Sequence, residues 1–134
     1  MIKRLLVIAL CIYFPVSIIG QARPENSIDA NTPKIVFNKT VHDFGELIQY
    51  SAASCQFRFY NKGKAPLILN EISVTCGCTV PSWSRKPVMP GDSGVIVVNY
   101  LTDETGVIDK MVTVFSNATK MPVTLELNGE VIKK

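Results

Sequence analysis

Apolar and polar residues alternate with a period of two over much of this chain. The clearest case is Ser54–Tyr60, with Cys55, Phe57 and Phe59 on one side and Gln56 and Arg58 on the other, the signature of a half-buried strand. Ile35-Val36-Phe37 predicts a short strand before it. Asn61-Lys62-Gly63-Lys64 follows as a turn whose glycine is free to take positive φ. Pro66–Val74 resumes a strand, but its alternation slips near Asn70-Glu71, which predicts a β-bulge.

Met89-Pro90-Gly91-Asp92-Ser93-Gly94 is a dense turn signal. It launches Val95–Leu101, a continuous β-branched run suited to a strand covered on both faces. Thr102–Gly106 reads as a loop. Lys110–Ser116 and Val123–Ile132 supply two more strands around Asn117-Ala118-Thr119-Lys120. No segment beyond the first 22 residues keeps apolar residues at helical spacing for ten positions. About seven short strands in about 100 residues predict an all-β, immunoglobulin-like two-sheet sandwich.

The amino end breaks this texture. Lys3 and Arg4 precede Leu5–Phe14, ten unbroken apolar residues; Pro15, Ser17 and Gly20 follow. A charged start, a short apolar middle and a small-residue exit form a secretory signal. The expected organisation is a signal peptide over residues 1–22, a polar linker over 23–33 and the sandwich over 34–134. Export predicts a periplasmic or extracellular protein, held at a membrane only if the signal stays uncut. Cys11 lies too early in the apolar run to be a lipidation site.

Composition then adds a correction. The whole chain has 134 residues, is 47% hydrophobic and carries a formal charge of +3. Two of the 14 bases and none of the 11 acids lie in the signal, so 12 bases face 11 acids in the remainder. A balance of +1 with no clustered basic patch argues against a nucleic-acid partner. The length excludes kinase, TIM-barrel and paired dinucleotide-binding architectures.

Candidate chemistry rests on few residues. Removing the signal leaves Cys55, Cys76 and Cys78, an odd number, so at least one sulfur stays outside any internal bridge. In an extended chain, Cys76 and Cys78 would stand about 6.6 Å apart, at the far edge of disulfide reach, unless Gly77 bends the chain. Three readings stay open: small core residues with at most one structural bridge, a Cys76/Cys78 redox couple, or a Cu(I) site on two thiolates. Structural zinc lacks its second ligand pair. His42-Asp43 offers a base and an orienter but no placed nucleophile, and reads as structural. Asn38-Lys39-Thr40 and Asn117-Ala118-Thr119 fit the glycosylation triplet. Trp83, among Pro81, Pro87 and Pro90, is either a recognition aromatic or a cover for a core edge.

Several motifs occur in order: His42-Asp43-Phe44-Gly45-Glu46, Phe57-Arg58-Phe59-Tyr60-Asn61-Lys62-Gly63, Pro66-Leu67, Cys76-Gly77-Cys78-Thr79, Pro90-Gly91 and Ser116-Asn117. Together they resemble the bacterial exported family called domain of unknown function 1573, over roughly Ile35 to Val131. The resemblance implies an immunoglobulin-like sandwich of the major-sperm-protein type. It implies Asn61 and Gly63 in a turn, Pro90-Gly91 in the turn before Val95, and Cys76 and Cys78 at a strand end beside the Trp83 loop. No activity comes with it, and Cys55 departs from the pattern. The expectation is therefore a protein without catalytic residues or cofactor that binds another protein or a cell-envelope component. Trp83, Cys76 and Cys78 are the candidate binding residues. The Pro81–Pro87 loop and an edge strand form the surface, and copper binding or thiol redox through Cys76/Cys78 is the alternative.

Overall fold

A computed structural model describes Gly20 and residues 31–134; the expected signal and most of the expected linker lie outside the described residues. Among the described residues, eight strands form: β1 (Ile35–Phe37), β2 (Val41–Ile48), β3 (Ala52–Asn61), β4 (Leu69–Val74), β5 (Thr79–Ser82), β6 (Ser93–Leu101), β7 (Gly106–Ser116) and β8 (Val123–Ile132). They build two four-stranded sheets, ordered β1-β3-β6-β5 and β2-β8-β7-β4. All neighbours are antiparallel except β2 and β8, which run parallel.

The inward positions of each sheet meet in one core. Phe57, Ile96 and Val98 from the first sheet and Ile108, Val112, Val114, Leu125 and Leu127 from the second are almost fully buried. Period-two alternation is what lets each strand contribute only one face to that layer. Burying one such side chain stabilises the fold by roughly 1.5–3 kcal/mol.

Three expectations change, and β2 forms where no element was expected. β6 is not covered on both faces: Ile96, Val98 and Tyr100 point inward, while Asn99 and Leu101 are exposed. Its β-branched outer residues reflect strand propensity on a surface that no further layer of the described residues covers. β2 was hidden by Asp43 and Gly45, where the register with β8 shifts between Asp43 and Glu46. Gly45 takes φ 65° there, and the Asp43 carboxylate accepts its N–H at 2.7 Å. Thr79–Ser82 is a strand despite Pro81, which an edge position tolerates; the Trp83 loop therefore starts later than expected. β7 begins at Gly106, inside the expected loop. The bulge near Asn70 is present, as a register shift between Leu69 and Glu71.

Gly63 is required for closeness rather than for positive φ, which it does not adopt. A Cβ there would run into the backbone of Thr32, Pro33 and Lys34. Thr32 thus belongs to the ordered body, its carbonyl accepting the Lys64 N–H at 2.9 Å.

Asn61 closes this corner. It is fully buried at the end of β3. Its Oδ1 accepts the N–H of Gly63 at 2.9 Å and of Lys34 at 3.3 Å. Its Nδ2 donates to the carbonyls of Ala65 at 2.7 Å and Val88 at 2.9 Å. One amide thereby satisfies both of its donors and both of its acceptor sites, tying β1, the turn after β3 and the approach to β6 together. Asn61→Ala leaves buried backbone groups without partners, and its expected cost is at least about 2 kcal/mol. Asn61→Asp does not restore the loss, because it cannot donate to either carbonyl. Urea unfolding of the three proteins measures this; an Asp variant as stable as wild type contradicts the assignment.

Candidate functional site

The β4–β5 connection is where the candidate cysteines fall. The chain turns at Cys76-Gly77-Cys78 rather than running extended, with the Thr79 N–H reaching back to the Cys76 carbonyl at 3.3 Å. The turn draws the two Cα atoms to 5.3 Å, and Cys76 and Cys78 form a disulfide. The extended-chain distance expected from sequence therefore does not apply. Both residues are half-buried. The Thr79 hydroxyl lies 3.7 Å from Cys76 Sγ, and the Cys78 carbonyl accepts the Leu101 N–H at 2.8 Å, pinning the turn to the end of β6.

The disulfide lines an open cleft of about 440 Å³ at this end of the sandwich, together with Tyr100, Asp103, Glu104 and Lys110. Burial, helped by the Glu104 charge, holds the Tyr100 hydroxyl above its ordinary pKa. Neither Lys110 nor the acids of the β6–β7 loop carried any signal in the sequence, since only the folded register brings them to the cysteines.

Among the described residues, Cys55 is the sulfur left over. It sits on β3 opposite Val98, 5% exposed, and does not line the disulfide cleft. Burial pushes its thiol up to about 11 from an ordinary 9.0, with Lys39 opposing weakly. A neutral buried thiol is a poor nucleophile and a poor metal ligand. Among the described residues, no group of three or more His, Cys, Asp or Glu side chains is placed to hold a metal ion. Joined as a disulfide, Cys76 and Cys78 present no thiolates, so Cu(I) binding would require their prior reduction.

Trp83 follows β5 and does not line the disulfide cleft. Its ring is half-buried and packs on the core, with the Arg85 guanidinium 5.8 Å from the ring centroid. Among the described residues, its buried Nε1 has no hydrogen-bond partner. The loop beyond it opens a groove of about 220 Å³, where Lys86, Pro87 and Met89 face Phe59 and Gly94.

The remaining motifs have structural places. His42 Nδ1 accepts from Lys39 Nζ at 2.8 Å, and the imidazole packs edge-on to Phe44. Burial and then the Lys39 charge lower its pKa, while Asp43 opposes them. Asp43 binds the Gly45 backbone, and His42 does not line the disulfide cleft, so no dyad forms with sulfur. The Asn117 amide donates to the Pro66 carbonyl at 3.0 Å and its Oδ1 accepts the Ile68 N–H at 2.8 Å. It clamps β4 beside β7, a role the glycosylation triplet did not reveal.

Residues 35–131 match the family described as "Protein of unknown function (DUF1573)". No curated protein matches the sequence. Among solved structures, the chain is similar to a protein of unknown function from Porphyromonas gingivalis W83. The TM-score is 0.66 at 17% identity, over 75% of this chain and 48% of that one, so this chain spans about half of that relative. It is similar to the ASH/PapD-like domain of human CEP192 at a TM-score of 0.66 and 11% identity, over 91% of this chain and 99% of that one. The secreted serine protease VesC from Vibrio cholerae matches at a TM-score of 0.56 and 15% identity, over 78% of this chain and 24% of that one. At these identities the likeness shows the fold alone.

The raised Cys55 pKa fixes the sign of a pH effect. The fold favours the protonated thiol, so this contribution to stability is intact below about pH 9 and is lost as pH climbs towards about 11. Urea unfolding near pH 8 and about pH 10.5 is expected to show a larger alkaline loss for wild type than for Cys55→Ala. Equal losses contradict the assignment. Native alkylation should leave Cys55 unmodified.

Proposed function

The chain belongs to the DUF1573 family, and on that premise we propose that it is an exported, non-catalytic module that binds another protein or a cell-envelope component. Export rests on the signal pattern of residues 1–22. The binding surface is the Trp83 loop with the adjoining β5 edge. β5 has only four residues and includes Pro81, so it offers little backbone for strand addition, and side chains carry most of the recognition. Exposed Val80 and Met89 supply apolar contact area next to the exposed cations Arg85 and Lys86. Such a surface suits a partner with an acidic rim around an apolar anchor.

The observation that carries this reading is the orphaned Trp83 indole N–H. An unpaired buried donor costs about 1–3 kcal/mol. A partner that shifts the loop enough to give that donor an acceptor recovers this energy on binding. Sandwich domains of this architecture also carry their recognition residues on loops and edges rather than on the packed faces.

Trp83→Ala is expected to weaken the complex by about 2 kcal/mol or more. Trp83→Phe removes the N–H and part of the ring while keeping an aromatic face, so an intermediate loss is expected. Binding is measured by quantitative recovery of the partner from envelope extract, with Thr124→Ala on the opposite sheet as a control. Recovery of the same partner at the same level by wild type and Trp83→Ala removes this surface from the account.

A further inference from the structure

We propose that the cleft at the Cys76–Cys78 end of the sandwich is a reversible disulfide-exchange site for a cysteine-bearing, positively charged segment of a partner protein. This site is separate from the Trp83 loop, and either can stand without the other.

Three placements support it. First, the bridge borders an open cleft rather than lying within the core. Second, the two sulfurs are unequal. Val74 pairs with Val112, and the Thr75 hydroxyl accepts the Met111 N–H at 3.4 Å. Continuing this antiparallel register sets Cys76 opposite Lys110, which lines the cleft. Cys76 Sγ also has the Thr79 hydroxyl beside it, 2% exposed and ready to donate. A cation and a buried hydroxyl donor both favour a thiolate on Cys76, whereas Cys78 packs against apolar core residues. Third, Asp103 and Glu104 also line the cleft, with Lys110 as the one base among the described residues that line it. Two carboxylates at the rim favour an incoming cation and disfavour an anion.

The step follows from these placements. A partner thiolate attacks Cys78 Sγ, the Cys76–Cys78 bond breaks, and its electron pair leaves on Cys76 Sγ as a thiolate beside Lys110 and Thr79. The product is a mixed disulfide between Cys78 and the partner. If the partner has a second thiol, that thiol attacks the partner's own sulfur in the mixed disulfide and releases Cys78. The partner is then oxidised to a disulfide, and Cys76 and Cys78 are reduced to thiols by the same two electrons, with two protons carried over.

The test uses three small thiols of different charge as probes: cysteamine, 2-mercaptoethanol and 3-mercaptopropionate. Opening of the bridge in the native protein is followed by alkylation and intact mass, with Trp83 fluorescence reporting that the fold persists. The rates compared are per thiolate and divided by the same thiol's rate with an uncharged small disulfide, which removes its intrinsic nucleophilicity. They are expected to rise from the anionic to the neutral to the cationic thiol, spanning about tenfold. Asp103→Asn/Glu104→Gln should narrow that span. Lys110→Met should slow all three thiols by about threefold or more. In variants that keep one cysteine of the pair, Cys76 in Cys78→Ser should react with iodoacetamide at lower pH than Cys78 in Cys76→Ser. A bridge that opens only when the chain unfolds overturns the proposal. Equal or reversed rates for the three thiols overturn the charged partner, and matching pH profiles overturn Cys76 as the leaving sulfur.

Discussion

Among the described residues, two four-stranded sheets enclose a single core, with no further layer over either. Each strand buries one face in a single core between the sheets, and the other face has only solvent to meet. Chemistry is therefore excluded from the middle of the molecule and pushed to the ends, where strands stop and chains turn. Both candidate sites obey this rule. The disulfide caps the β4–β5 turn, and Trp83 follows the last residue of the shortest strand but one.

The corner built on Asn61 shows how such a sandwich stays in register at its ends. A two-sheet core fixes layers but leaves connections under-determined, because apolar contacts have no direction. The four hydrogen bonds of one buried amide supply that direction, joining segments as far as 27 residues apart. Gly63 and Gly94 serve the same geometry by absence: a Cβ at either would meet the backbone of residues 32–34 or the ring of Phe59.

Much of this fold is legible in the sequence where alternation is clean. Cys55, Phe57 and Phe59 share the inward face as their spacing implies, and the slip at Asn70-Glu71 is a true bulge. Legibility fails where local chemistry imitates something else. Asp43 and Gly45 look like a turn yet form a bulge inside β2, and Pro81 looks like a loop yet sits on an edge. The β-branched run of β6 looks doubly covered, although propensity and burial are separate causes of the same residues. The site is legible only in part. Cys76 and Cys78 announce themselves, but their bond depends on a turn, and Lys110, Asp103 and Glu104 reach them only through strand pairing and the β6–β7 connection. Asn61 reads as a turn residue because its partners are distant in sequence.

The interleaved core and its Asn61 corner hold the fold, leaving the Cys76–Cys78 bridge free to open. A bridge closing so short a loop restricts the unfolded chain little, by about 1.6 kcal/mol in the chain-entropy estimate. The direct test is urea unfolding of the oxidised and fully reduced protein, followed by far-ultraviolet circular dichroism. The reduced chain is expected to keep its β spectrum and a single cooperative transition, with only a modest fall in midpoint. Loss of that transition on reduction would show that the bridge, and not the core, holds the sheets together.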